Sequence, residues 1–177
     1  MNEGRLVRIM EVVPYNSKWK DDYINECEKI QSIMGEEILN IHHIGSTAIS
    51  GIYAKPVIDI LIEVKNIINI DKYNEGMIKL GYIPKGEHGI KNRRFFLKGE
   101  YNRTHHVHIF ETENPEIKRH LDFRDYMIAH PEDAKCYEEL KKELSIKFRY
   151  DNNGYCEGKN AFINKIDKKA KEWSETR

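Results

Sequence analysis

The run Val57-Ile58-Asp59-Ile60-Leu61-Ile62-Glu63-Val64 constrains this chain more than any other stretch. Apolar residues at both odd and even positions mark a strand covered on both faces, which belongs inside a sheet packed between layers. Lys55-Pro56 forces extended geometry just ahead of it, and proline is tolerated at a strand's start. Asp59 does not fit the pattern. An ionised carboxylate in a buried strand is costly unless it is paired or binds a cation. Residues 59, 61 and 63 share one face, so Asp59 and Glu63 point the same way. Asp59 is then either a structural partner for a loop or an arginine, or a site residue.

The rest of the chain supplies the other layers. Leu6 to Val13 reads as a strand ended by Pro14. Ser17 reads as the N-cap of a helix whose Trp19, Tyr23, Cys27, Ile30 and Met34 fall at spacings of three and four. Leu39 to Ile44 is a short strand running into a small-residue loop, Gly45-Ser46-Thr47. Asp71 to Leu80 reads as a helix stopped by Gly81. Arg94 to Lys98 and His105 to Phe110 form two strands joined at Gly99 to Asn102. From Pro115 onward only helices are expected: Glu116 to His130, one opened by Pro131, and a last one carrying Phe162, Ile166, Ala170 and Trp173. The class is α/β or α+β, a mixed sheet core (1–114) with flanking helices and a helical part (115–177) packed on it as one domain.

Composition excludes several functions. Lys+Arg and Asp+Glu are both 29, so no global basic field marks a nucleic-acid binder. No run is long enough to span a bilayer, and the N-terminus lacks the apolar centre of a signal peptide. Three widely spaced cysteines, Cys27, Cys136 and Cys156, suit reduced thiols in a cytoplasmic protein.

Small residues let backbone amides approach an anion closely. A Gly-Ser loop followed by an acid on the next strand resembles the layout of polymerase-beta-like nucleotidyltransferases. The likeness is closer than that. His43-Ile44-Gly45-Ser46-Thr47-Ala48, Gly51 and Ala54-Lys55-Pro56-Val57-Ile58-Asp59 resemble the GrpB signature. So do Val13-Pro14-Tyr15 with Trp19, His106-Val107-His108, Phe123-Arg124-Asp125-Tyr126, His130-Pro131, Ala134, Tyr137 and Leu140-Lys141. The resemblance covers nearly the whole chain and implies a nucleotidyltransferase-like fold. In that superfamily the loop holds the nucleotide's phosphates and strand carboxylates hold Mg²⁺. One departure stands out: the second acid is expected two residues after Asp59, where this chain has Leu61. Glu63 can replace it only if the strand end curls inward.

Two further features bear on the site. His106 and His108 share one strand face, and with His43 or Asp59 as a third ligand they could chelate a transition metal. Failing that, they bond a phosphate or Asp59. Between Lys85 and His108, six basic residues (Lys85, Lys91, Arg93, Arg94, Lys98, Arg103) face two acids (Glu87, Glu100), with four histidines besides. A net +4 in a neutral protein suggests an anion site. Arg94 and Arg103 flank apolar strand residues and rank above Lys91, Arg93 and Lys98, which suit a solvated hairpin. Lys55, at the strand entrance, and Arg124 complete the phosphate candidates.

These residues lead to a protein that binds a nucleotide or other phosphorylated small molecule at Gly45-Ser46-Thr47, with nucleotidyl transfer through Mg²⁺ on Asp59 and Glu63 as its enzymatic form. The alternatives are a non-catalytic binding module, which the resemblance links to coenzyme A metabolism because GrpB-like domains occur fused to dephospho-CoA kinase, and a hydrolase with a transition metal on His43, His106 and His108.

Overall fold

A computed structural model describes residues 7–177. In chain order they form α1 (Lys18–Met34), β1 (Ile38–Ile44), a single 3-10 turn (Ser46–Ala48), β2 (Ile58–Val64), a 3-10 stretch (Ile67–Tyr73), α2 (Asn74–Lys79) and β3 (Tyr82–Pro84). Then come β4 (Arg93–Lys98), β5 (His105–Glu111), α3 (Pro115–Ala129), α4 (Pro131–Lys147) and α5 (Asn152–Glu175). The sheet runs β1-β2-β5-β4-β3. β2 and β5 are parallel, and the other neighbours are antiparallel. The fold is α+β, with a mixed sheet between helices.

The two faces of β2 explain its composition. Ile58, Ile60, Ile62 and Val64 pack with Val107 and Ile109 of β5 and Phe96 of β4, under Trp19, Ile30 and Met34 of α1. On the opposite face Leu61 packs with Ile44, Phe110 and Ile117, the last from α3. That second layer covers only part of the sheet, and Asp59 lies just beyond it. The three C-terminal helices gather Tyr126, Met127, Ala134, Tyr137, Ile166 and Ala170 around Ile49 and Ile52, which follow the 3-10 turn. Proline starts both α3 and α4, where its missing N–H costs nothing. The Asn114 and Asp151 side chains cap α3 and α5. No helix among the described residues is long and apolar enough to cross a membrane.

Three expectations about the elements are corrected, and one element is new. The strand at Leu6 to Val13 is absent from the described part: only Val13 pairs, in a single bridge with Ala54, and Leu6 lies outside the described residues. Ser17 makes no capping bond; Asn16 Oδ1 accepts from the Lys18 amide instead, at 2.9 Å. The helix expected at Asp71 to Leu80 is a 3-10 stretch followed by the short α2. Gly76 fits there because a Cβ would lie 2.7 Å from Ile33 of α1. The edge strand β3 has no counterpart in the sequence reading; three residues carry too little alternation to register.

Candidate functional site

Sheet register decides which side chains meet. Asp59 sits opposite His106, and Leu61 opposite His108, on the parallel β2–β5 pair. Phe95 of β4 sits opposite His108. These side chains therefore project from one face. His106 Nδ1 and His108 Nε2 lie 3.3 and 3.2 Å from the same oxygen, Oδ1 of Asp59. The other nitrogen of each ring meets an arginine. Arg103 Nη1 lies 2.8 Å from His106 Nε2, and Arg93 Nη1 lies 3.5 Å from His108 Nδ1. A guanidinium can only donate, so these contacts assign each imidazole a neutral tautomer that accepts from arginine and donates to Asp59. The result is one hydrogen-bonded row, Arg103–His106–Asp59–His108–Arg93. Phe95 packs against both imidazoles, with ring centroids at 5.4 and 5.1 Å, and His120 of α3 approaches His108 at 5.6 Å.

The electrostatics follow from this geometry. Burial raises the Asp59 carboxyl, but the bonds from His106 and His108 outweigh it and hold the group well below the usual carboxylate range. Burial lowers His106 despite the attraction of Asp59. His120 is pushed down to about 3, chiefly by burial and then by His108. Burial thus favours neutral His106 and His120 beside a carboxylate that stays ionised.

The loop enters from the same end of the sheet. Gly45 has φ +74°, and a Cβ there would lie 2.6 Å from Asp59 Oδ2. Only glycine permits both the conformation and the approach. Ser46 is half-buried in the turn that follows. Thr47 turns away: its Oγ1 bonds His43 Nε2 at 2.9 Å. His43 stacks on Tyr23 of α1 at 4.7 Å, on the opposite face of the sheet from Asp59, and burial lowers it to about 4.

The other expected residues disperse. Glu63 stays in regular strand pairing, four residues along from Asp59 and roughly 13 Å away at strand rise. Asn40 and Thr112 donate to it, so the inward curl does not occur. Arg94 projects from the α1 face and pairs with Asp71 at 2.8 Å. Arg124 bonds the His43 carbonyl at 3.1 Å and Asp125 at 2.9 Å. With Thr47 it lines a separate cleft of about 510 Å³ between α1 and α3. His43 likewise cannot join His106 and His108 as a third ligand. Among the described residues, no three His, Cys, Asp or Glu side chains are grouped to hold a metal ion. Lys55 lies at the β2 entrance, its Nζ 4.7 Å from the Tyr155 ring centre.

Arg103 joins the row as its place beside apolar strand residues suggests, but the order of the adjacent pair Arg93 and Arg94 is reversed. Arg93, not Arg94, is the one buried beside the Asp59 row, at 5% exposure. Its Nη2 and Nε donate to the carbonyls of His88 and Glu87. His120 carries no sequence signal, because one histidine on an amphipathic helix does not stand out by itself.

Comparison with known proteins gives the lineage. The model of the GrpB protein family matches residues 9–169. YqkA of Bacillus subtilis is 47% identical over 170 residues, covering 96% of this chain and 50% of YqkA, so the chain spans about half the length of that relative. A dephospho-CoA kinase of Mycolicibacterium paratuberculosis is 23% identical over 193 residues, covering 93% of this chain and 47% of the kinase. The crystal structure of GrpB from Enterococcus faecalis superposes with a TM-score of 0.88 at 38% identity, over 92% of this chain and 99% of that one. The match in sequence and the agreement in fold along almost the entire chain place it in the GrpB family.

Proposed function

We propose that this chain binds a phosphorylated small molecule, with nucleotides the first class to test, beside Gly45–Thr47 and the Asp59 row, and that it does so without two-metal nucleotidyl transfer. The observation that carries this reading is Leu61. It occupies the position where the superfamily pattern has its second acid, it is completely buried, and it packs with Ile44, Phe110 and Ile117.

The donor set does not fit Mg²⁺ either. That ion wants several oxygen ligands in near-octahedral array. Here one carboxylate is available, its Oδ1 already accepts from two imidazoles, and Glu63 lies too far along the strand. Each imidazole turns its second nitrogen to an arginine, which speaks against the transition-metal hydrolase as well. What this end of the sheet offers is cationic: two guanidinium groups backing one carboxylate, next to a loop that brings backbone close. Acceptor-rich anions are the natural complement.

Thermal-shift measurements over a panel of nucleotides, coenzyme A and dephospho-coenzyme A, with and without Mg²⁺, test the reading. The coenzymes belong in the panel because of the likeness to a dephospho-CoA kinase. At least one compound is expected to raise the melting temperature without Mg²⁺, and Ser46→Arg, which fills the loop, is expected to abolish that rise. Equal stabilisation of Ser46→Arg would remove the loop from the site. Magnesium-dependent release of pyrophosphate from a nucleoside triphosphate would restore the enzymatic reading.

A further inference from the structure

A second pocket, of about 320 Å³, opens where β2 and β5 begin. Arg8, Lys55 and Arg103 line it, from the N-terminal segment, the β2 lead-in and the β4–β5 connection, and Glu11 is its one acid. Among the described residues, none of the three cations meets a carboxylate. Arg8 donates to the side-chain carbonyl of Asn152 at 3.3 Å. Lys55 Nζ has Met10 Sδ at 4.0 Å and the face of Tyr155. Arg103 donates to the carbonyls of Gly99 and Glu100 and to His106. A fourth cation, Lys159, stands over the same Tyr155 ring at 4.7 Å.

Several charges elsewhere in this chain are matched by opposite charge, although the buried Lys141 and Arg93 meet only backbone carbonyls and rings. Glu26 has Lys98 at 2.8 Å, Glu138 has Lys135 at 3.0 Å, and Arg119 has Glu116 and Asp167 at 2.7 and 3.1 Å. The unmatched cations repel one another. Burial, with Lys159 and Arg8, brings Lys55 down to about 8, and burial with Arg8 brings Arg103 down to about 10. Like charges gathered in a half-buried pocket destabilise the fold and persist where a ligand uses them.

We propose that Arg8, Lys55 and Arg103 form a binding site for a pyrophosphate group. Three cations on three separate segments, around a space several times the share of one water in liquid, suit an anion with charge at both ends rather than a single carboxylate. The group can come from free pyrophosphate or from the diphosphate of a nucleotide. The site shares Arg103 with the Asp59 row and rests in part on the reading above, but it uses none of the loop's residues, so a loop variant separates the two.

The test is calorimetric titration of inorganic pyrophosphate into the full chain at low salt. Saturable binding is expected, weakened about tenfold or more in Arg8→Gln and in Lys55→Gln, as fits loss of a charge-assisted contact. Without ligand, both variants are expected to melt at or above the parent temperature, because a repulsion has been removed. Ser46→Arg is expected to keep its pyrophosphate affinity. No binding at millimolar pyrophosphate overturns the proposal, as does unchanged affinity in both glutamine variants. Loss in Ser46→Arg alone would place the anion at the loop and sink the pocket while sparing the loop reading. Titration with ADP identifies the source: affinity tenfold above that of pyrophosphate points to a nucleotide, equal affinity to the free diphosphate, and either supports the pocket.

Discussion

At the scale of single residues, burial of neutral histidine makes this fold sensitive to acid. His43 sits near pKa 4 and His120 near 3 in the folded chain, against about 6.5 when unfolded. The unfolded chain therefore binds more protons in the intervening range. The stabilisation is complete above pH 6.5 and is lost as pH falls toward the folded values. His43→Phe separates one contribution, because it keeps a ring against Tyr23 and removes the titrating nitrogen. The variant is expected to be less stable at pH 7 by about 1 kcal/mol, from loss of the Thr47 bond. Between pH 7 and 4.5 it should lose less melting temperature than the parent. Identical losses would mean that His43 titrates normally in the fold. No sequence pattern shows this, since His42 and His43 are adjacent and only the strand's parity decides which one stacks beneath α1.

Among the elements, β2 holds the decisive fact. Its alternate faces are legible: an apolar run interrupted by Asp59 predicts a central strand with one polar position out of pattern, and His106 and His108 predict a shared face. Register was not legible. A one-residue shift of β4 exchanges its faces, and the pair Arg93-Arg94 looks the same either way. Tertiary pairing alone puts Arg93 in the row and Arg94 against Asp71. The sequence also shows Leu61 where a nucleotidyltransferase pattern would set a second acid, but not the apolar packing around it. Leu61→Asp is therefore expected to damage the fold rather than rebuild a metal site. An uncompensated carboxylate among Ile44, Phe110 and Ile117 costs about 3 kcal/mol or more. For a chain of this size that is a fall of about 10 °C in melting temperature. Added Mg²⁺ should not recover it. A variant that melts like the parent and gains a Mg²⁺-dependent rise would show that the strand accepts a second acid there.

Over the whole molecule, the sheet and the C-terminal helices meet at the candidate loop. Gly45 rests on Asp59 of the sheet, and four residues later Ile49 enters the helical core, followed by Ile52. The helical periodicities after Pro115 were plain in the sequence, but this junction was not, because Ile49 and Ile52 belong to an irregular stretch with no repeat to read. Removing residues 152–177 takes away Tyr155, Ile166 and Ala170, each at most 1% exposed. The truncated chain is expected to lose its cooperative thermal transition; a sharp melt within a few degrees of the parent would make α5 an accessory. The same junction has a consequence for how binding can be seen. A loop anchored at one end to a strand and at the other inside a helical cluster cannot be tightened locally. Whatever holds it still also suppresses the opening of α3, α4 and α5, so hydrogen exchange should slow in helices that the ligand never touches.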